Sequence, residues 1–202
     1  MVRRRGDRHR RVGPPELHAH RRQDVVAART VIGPKRTGHV RFLYQLDNKS
    51  NGVNEILAVN DHEFLVIERD GNAGSAAAFK KIFHIDIAAA SDIRAVAALP
   101  QTGTPDGVTP VSKSPFLDLL DPTFRLAGAP FPEKIEGLAF GPDLTDGRHL
   151  LIVTNDNDFV PTQANRFFAF AIDRSDLPQF APQQFGRRRD CIGHGHDGFG
   201  FD

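Results

Sequence analysis

The residues with the clearest chemical potential are charged side chains that recur at comparable places in two stretches of the chain. Glu55 and Glu136 each stand just before a small apolar run, Ile56-Leu57-Ala58 in one case and Gly137-Leu138-Ala139 in the other. Two carboxylates converging on a narrow site either bind a hard cation through oxygen or raise one another's pKa, and both outcomes serve hydrolysis. The apolar runs that follow end in Glu68-Arg69-Asp70 and Asn155-Asp156-Asn157-Asp158. Carboxylate and amide oxygens suit Ca²⁺, so Glu55, Glu136, Asp156 and Asp158 form the expected metal set, with Ca²⁺ as the expected cofactor. Arg69 and Lys134 are the expected substrate clamps, Arg69 through two parallel hydrogen bonds to a phosphate or carboxylate. Glu55, Glu136 and Arg69 are therefore the candidate catalytic residues. A metal-activated water, with cations holding the charge that develops on oxygen, hydrolyses an ester without a strong nucleophile.

Each of these residues also has a plainer reading. Asp and Asn at strand ends commonly bond their own backbone, so residues 155–158 can be no more than a tight turn. Glu68 and Arg69 can form a surface ion pair of small worth. His84, in mid-strand, reads as structural. Ser75 lacks the flanking pattern of a nucleophile elbow, and neither a phosphate-cradling loop nor a dinucleotide fingerprint is present.

The elements that must position these groups are strands. Ile135 to Phe140 alternates partly in polarity and stops at Gly141-Pro142, Leu150 to Thr154 is a β-branched apolar run, and Arg166 to Asp173 is aromatic and apolar. Turn residues bound all three. Asn54 to Ile87 follows the same plan, with Phe64 to Asp70 matching Leu150 to Asp156 and Phe83 to Asp86 matching Phe170 to Asp173. Glu55 and Glu136 are 81 residues apart (136 − 55), close to twice the roughly 40 to 45 residues of a four-stranded propeller blade. The gap has room for one more blade or for the remaining strands of this one. Arg41 to Leu46 reads as a further strand, Arg94 to Leu99 as a short edge strand, and Val111 to Leu120 as a strand or short helix.

With Glu55-Ile56-Leu57 and Glu68-Arg69-Asp70 in the first unit, and Lys134-Ile135-Glu136-Gly137-Leu138-Ala139-Phe140-Gly141-Pro142-Asp143-Leu144 followed by Asn155-Asp156-Asn157-Asp158-Phe159 in the second, the chain resembles the phytase-like family described by its esterase-like activity. The likeness runs from about Arg41 to Asp173. It implies a hydrolase acting on phosphate or carboxyl esters and a small-molecule ester as partner. A non-catalytic propeller segment that binds a ligand or protein through its rim is the alternative, since a fold does not fix a function. The family also implies export if a signal peptide lies upstream, whereas the chain as written is expected in the cytoplasm.

Composition bounds the rest. The chain has 202 residues, a net charge of +1 and one cysteine, Cys191, which permits one real core and no internal disulfide. No apolar run approaches the roughly 20 residues of a membrane span, so no membrane partner is expected. Residues 1–38 read as a disordered Arg/His-rich tail foreign to the domain, residues 39–176 as the phytase-like unit, and residues 177–202 as a second disordered tail. Nucleic-acid contact is confined to the basic N-terminal arm. Cys191, His194, His196 and Asp197 can be written as a zinc or copper site, but their glycine-rich spacing offers no rigid frame. Both tails fit a shifted or truncated reading frame. About 138 residues at 40 to 45 per blade make roughly three blades, so the expected fold is all-β, a partial propeller whose exposed edges invite self-association.

Overall fold

A computed structural model describes residues 24–30, 40–100 and 102–183. Residues 1–22 and the group Cys191, His194, His196 and Asp197 lie outside them. Among the described residues nine strands form: β1 (Asp24–Thr30), β2 (Val40–Leu46), β3 (Gly52–Ala58), β4 (Glu63–Arg69), β5 (Lys80–Asp86), β6 (Ser112–Asp118), β7 (Lys134–Phe140), β8 (His149–Asp156) and β9 (Phe167–Ile172). The only helical turns among the described residues are the short 3₁₀ segments Gly74–Ala76 and Pro122–Phe124. All strand pairs are antiparallel, in three sheets ordered β1-β2, β3-β4-β5-β6 and β7-β8-β9. The fold is all-β.

Residue patterning explains how the sheets stack. β4 is apolar at four successive positions, Phe64 to Ile67, and all four are buried, the signature of a strand covered on both faces. Phe64 and Val66 pack with Phe42, Tyr44, Phe83 and Ile85 toward the first sheet. Leu65 and Ile67 pack with Ile82, Ile135, Leu151 and Val153 toward the third. The second sheet therefore lies between the other two. β8 instead alternates, with Leu151 and Val153 buried and Leu150, Ile152 and Thr154 half-buried, because only one of its faces meets another sheet.

Several expectations change. Of the two readings of the 81-residue interval the second holds, since it contains the remaining strands of a single four-stranded sheet that ends in β6. Arg94 to Leu99 is turn and irregular chain, pinned by Arg94 to Asp92. Both tail boundaries shift inward on the tails. Asp24–Thr30 pairs along its length with β2, helped by the β-branched Val25, Val26 and Thr30. Leu177 is 2% exposed within the core, and the Ala181 N–H donates to the Val59 carbonyl at 2.9 Å.

Candidate functional site

β3 and β7, the first strands of the second and third sheets, lie against each other. Each carries a β-bulge near its start. Pairing steps from Val53 opposite Glu68 to Glu55 opposite Ile67 in β3, and from Ile135 opposite Asn155 to Gly137 opposite Thr154 in β7. The extra residues are Asn54 and Glu136, so the counterpart of Glu136 is Asn54 and that of Glu55 is Gly137. A slip of one residue moves a side chain to the other side of a strand. The register thus corrects the equivalence drawn from the acids alone.

At this junction the Arg69 Nη2 donates to Glu136 Oε1 at 2.5 Å, and Asn54 Nδ2 donates to the same oxygen at 3.1 Å. Arg69 Nη1 donates to the Asp70 carbonyl at 3.1 Å. Its side chain is 9% exposed, and its Nε has no protein partner. Arg69 is consequently a buried brace for Glu136, where sequence alone suggested an open clamp. Among the described residues no protein donor reaches Glu136 Oε2. Glu136 lines a shallow groove with Gly137, Thr154, Asp156, Asn165 and Phe167. A Cβ at Gly137 would collide with Thr154 Oγ1, so a larger residue there would force the threonine side chain aside.

The remaining expected site residues are placed elsewhere. The Glu55 carboxylate accepts from the backbone N–H of Ile56 at 2.8 Å and does not join Glu136. Lys134 pairs with Asp158, and that hydrogen bond raises the Lys134 pKa. The Asp158 N–H donates to Asp156 Oδ1 at 2.9 Å, the Phe159 N–H donates to Asn157 Oδ1 at 3.2 Å, and Asn155 Oδ1 accepts from the Arg166 N–H at 2.7 Å. β8 thus runs through Asn155 and Asp156 into a turn at Asp158 and Phe159, held by the Asp156 and Asn157 side chains, close to the plainer of the two readings. Ca²⁺ takes six to eight oxygen ligands. Glu55, Glu136, Asp156 and Asp158 each accept from a protein donor, and among the described residues no three His, Cys, Asp or Glu side chains gather. These residues as arranged do not fit such a shell.

The structure also brings out groups the sequence reading missed. Glu68 and Arg69 alternate on β4 and so diverge. Glu68, fully buried, faces the first sheet and accepts from Tyr44 Oη at 2.8 Å, the Asp47 N–H at 2.8 Å, Asn51 Nδ2 at 2.7 Å and Lys113 Nζ at 2.6 Å. Burial first, and then the Glu68 carboxylate, push the Tyr44 phenol far above its ordinary pKa. Lys80 is also fully buried, held by Asp70 Oδ1 at 2.9 Å and the Glu133 carbonyl at 2.6 Å. Burial lowers the Lys80 pKa. Burial also acts on Asp70, in the upward direction, but hydrogen bonds from the Ala78 N–H and Lys80 outweigh it and hold that carboxyl low. Glu68 ends one apolar run and Lys80 precedes another, so the sequence carries no signal of their burial, and several of their partners lie in distant segments. No sequence signal marks Thr154, Asn165 or Phe167 as groove residues, or Asn54 as a donor to Glu136.

Stacked antiparallel sheets, with a braced carboxylate at a bulge beside a shallow groove, define an all-β protein. The chain belongs to the phytase-like family, described by the esterase-like activity of phytase, whose family model matches residues 15–159. The match begins earlier and ends earlier than the stretch from Arg41 to Asp173. No curated protein and no solved structure matches the chain. Among the described residues no helix is long and apolar enough to cross a membrane.

Proposed function

We propose that the chain supplies consecutive blades of a β-propeller and that the groove beside β7 hydrolyses esters, with Glu136 as general base. The observation that carries this reading is the doubly braced carboxylate: Arg69 and Asn54, both from the second sheet, hold one Glu136 oxygen. The other oxygen takes a proton from water as the water oxygen attacks the ester carbonyl; the tetrahedral oxyanion then collapses, the ester C–O bond breaks, and Glu136 returns the proton to the departing alcohol. Thr154 Oγ1 and the Asn165 amide, both lining the groove, are donors available to the oxyanion. The groove carries Glu136 and Asp156 and neither lysine nor arginine, which favours a carboxyl ester over a phosphate ester, since like charges repel a polyanion. Hydrolysis needs no metal in this scheme. Turnover of a p-nitrophenyl carboxyl ester that is lost in Glu136→Gln and insensitive to chelator tests it; unchanged turnover in that variant sinks it.

The alternative, a non-catalytic propeller segment that binds a partner, draws support from Phe159 and Phe167, which are 95% and 76% exposed. Absence of turnover on both carboxyl and phosphate esters, with an intact fold, would favour that alternative.

A further inference from the structure

The loop at residues 157–166, between β8 and β9, brings Asn165 to the groove beside Glu136. Asn165 is exposed, and the hydrogen bonds that fix its place are made by its two neighbours. Asn155 Nδ2 donates to the Ala164 carbonyl at 3.3 Å, and Asn155 Oδ1 accepts from the Arg166 N–H at 2.7 Å. The Asn155 N–H donates to the Arg166 carbonyl at 3.4 Å. One residue of β8 thus grips the chain on both sides of Asn165. Asn155 continues the buried row of Leu151 and Val153 and is 7% exposed. An apolar side chain would extend that row, but the loop backbone crosses its end, and buried peptide groups need partners. An amide suits this place because it donates to one carbonyl while accepting from one N–H; a carboxylate only accepts.

We propose that Asn155 is a positioning residue for ester hydrolysis: by clamping both flanks of Asn165 it sets the Asn165 amide where the oxyanion develops. The inference rests on the ester-hydrolase reading of the groove, in which that amide is a donor to the oxyanion. A donor of this kind works within a narrow range, about 2.7 to 3.1 Å from the oxyanion, and is effective because it is oriented before the reaction begins. Asn155, with its own amide engaged by the loop, acts through Asn165 and orders that donor when the chain folds.

The test is a double-mutant cycle in the full chain, read by turnover of a p-nitrophenyl carboxyl ester. Asn155→Asp keeps the size of the side chain and the acceptor for Arg166 but removes the donor to Ala164. Its kcat should fall by about tenfold to a hundredfold, the scale for a misplaced catalytic group. KM should stay nearly unchanged, because the bond to the oxyanion is made only in the transition state. Asn165→Ala should lower kcat by about a hundredfold or more, and adding Asn155→Asp to it should lower kcat no further. A residue that merely holds the fold would add its loss in both backgrounds. Should Asn155→Asp fail to fold, as read by circular dichroism, Asn155→Ser, too short to span both peptides, takes its place in the cycle. Additive losses, or undiminished kcat in the Asn155 variant while Glu136→Gln loses turnover, overturn this inference and leave the reading of the groove standing. Turnover that Glu136→Gln does not reduce overturns that reading, and this inference with it.

Discussion

Asn54 and Glu136 occupy the same bulge position in the first strands of neighbouring sheets and hydrogen-bond to each other at 3.1 Å. A bulge leaves one residue out of the strand ladder and re-aims its side chain. Here two such residues are re-aimed toward one another, and Arg69, at the end of β4, joins them. The junction of the second and third sheets is polar for this reason, whereas the packing beneath it is apolar.

Glu136→Gln keeps the size of the side chain and an acceptor for Arg69 but removes the base. Ester turnover should fall by about 10² to 10⁴, the usual contribution of a general base. The melting transition should drop only modestly, because the Glu136 side chain is 29% exposed and water relieves part of the lost ion pair. Steady-state kinetics beside a thermal melt separate the two effects. Equal loss of activity and of fold would mean that Glu136 only braces the sheets.

Tyr44→Phe should change the alkaline limb of stability. The phenol is bonded to Glu68 and its pKa is raised by burial. Above pH of about 10 the unfolded chain loses the phenolic proton while the folded chain keeps it, so stability falls as pH rises past that point. The variant should lack this part of the fall. At neutral pH it should cost about 1 to 3 kcal/mol, because a hydrogen bond to buried Glu68 is lost. Urea melts at pH 7 and above pH 10 give both quantities.

Asp70→Asn should flatten the acid limb. The Asp70 carboxyl is bonded by the N–H groups of Ala78 and Phe79 and by Lys80, and its pKa is lowered in the folded chain. Its stabilising contribution is complete above the unfolded value of about 4 and disappears as pH falls through the folded one. Asparagine also strands the Lys80 ammonium, which is fully buried, so a loss of about 3 to 5 kcal/mol at pH 7 is expected. Lys80→Met in the same background should recover part of it, as read by a double-mutant cycle.

Gly137→Ala should be destabilising by about 1 to 3 kcal/mol, the range for forcing extra volume into a packed site. The added methyl meets Thr154 Oγ1 across the β7–β8 ladder. Thr154→Ala should restore most of that stability. Failure of the second change to rescue the first would place the strain in the β7 backbone.

The residues themselves determined that the chain is all-β. Alternating and continuous apolar runs, cut by glycine, proline and aspartate, located β2 and the central strands of both larger sheets, because side-chain period follows directly from strand geometry. The repeated plan at Asn54 to Ile87 and Lys134 to Asp173 was legible for the same reason. Register was not. A bulge at Asn54 or Glu136 leaves no mark in composition, yet it decides which residue enters the junction between sheets: asparagine in one sheet, glutamate in the other. The partners of Arg69, Glu68 and Lys80 were likewise set only when distant strands met, since a buried charge is held by whatever donors and acceptors the packed sheets bring within about 3 Å. Chain order supplied the sheets and their candidate acids; stacking decided that Arg69 and Asn54 would hold Glu136, and that Glu55 would be left at its own backbone.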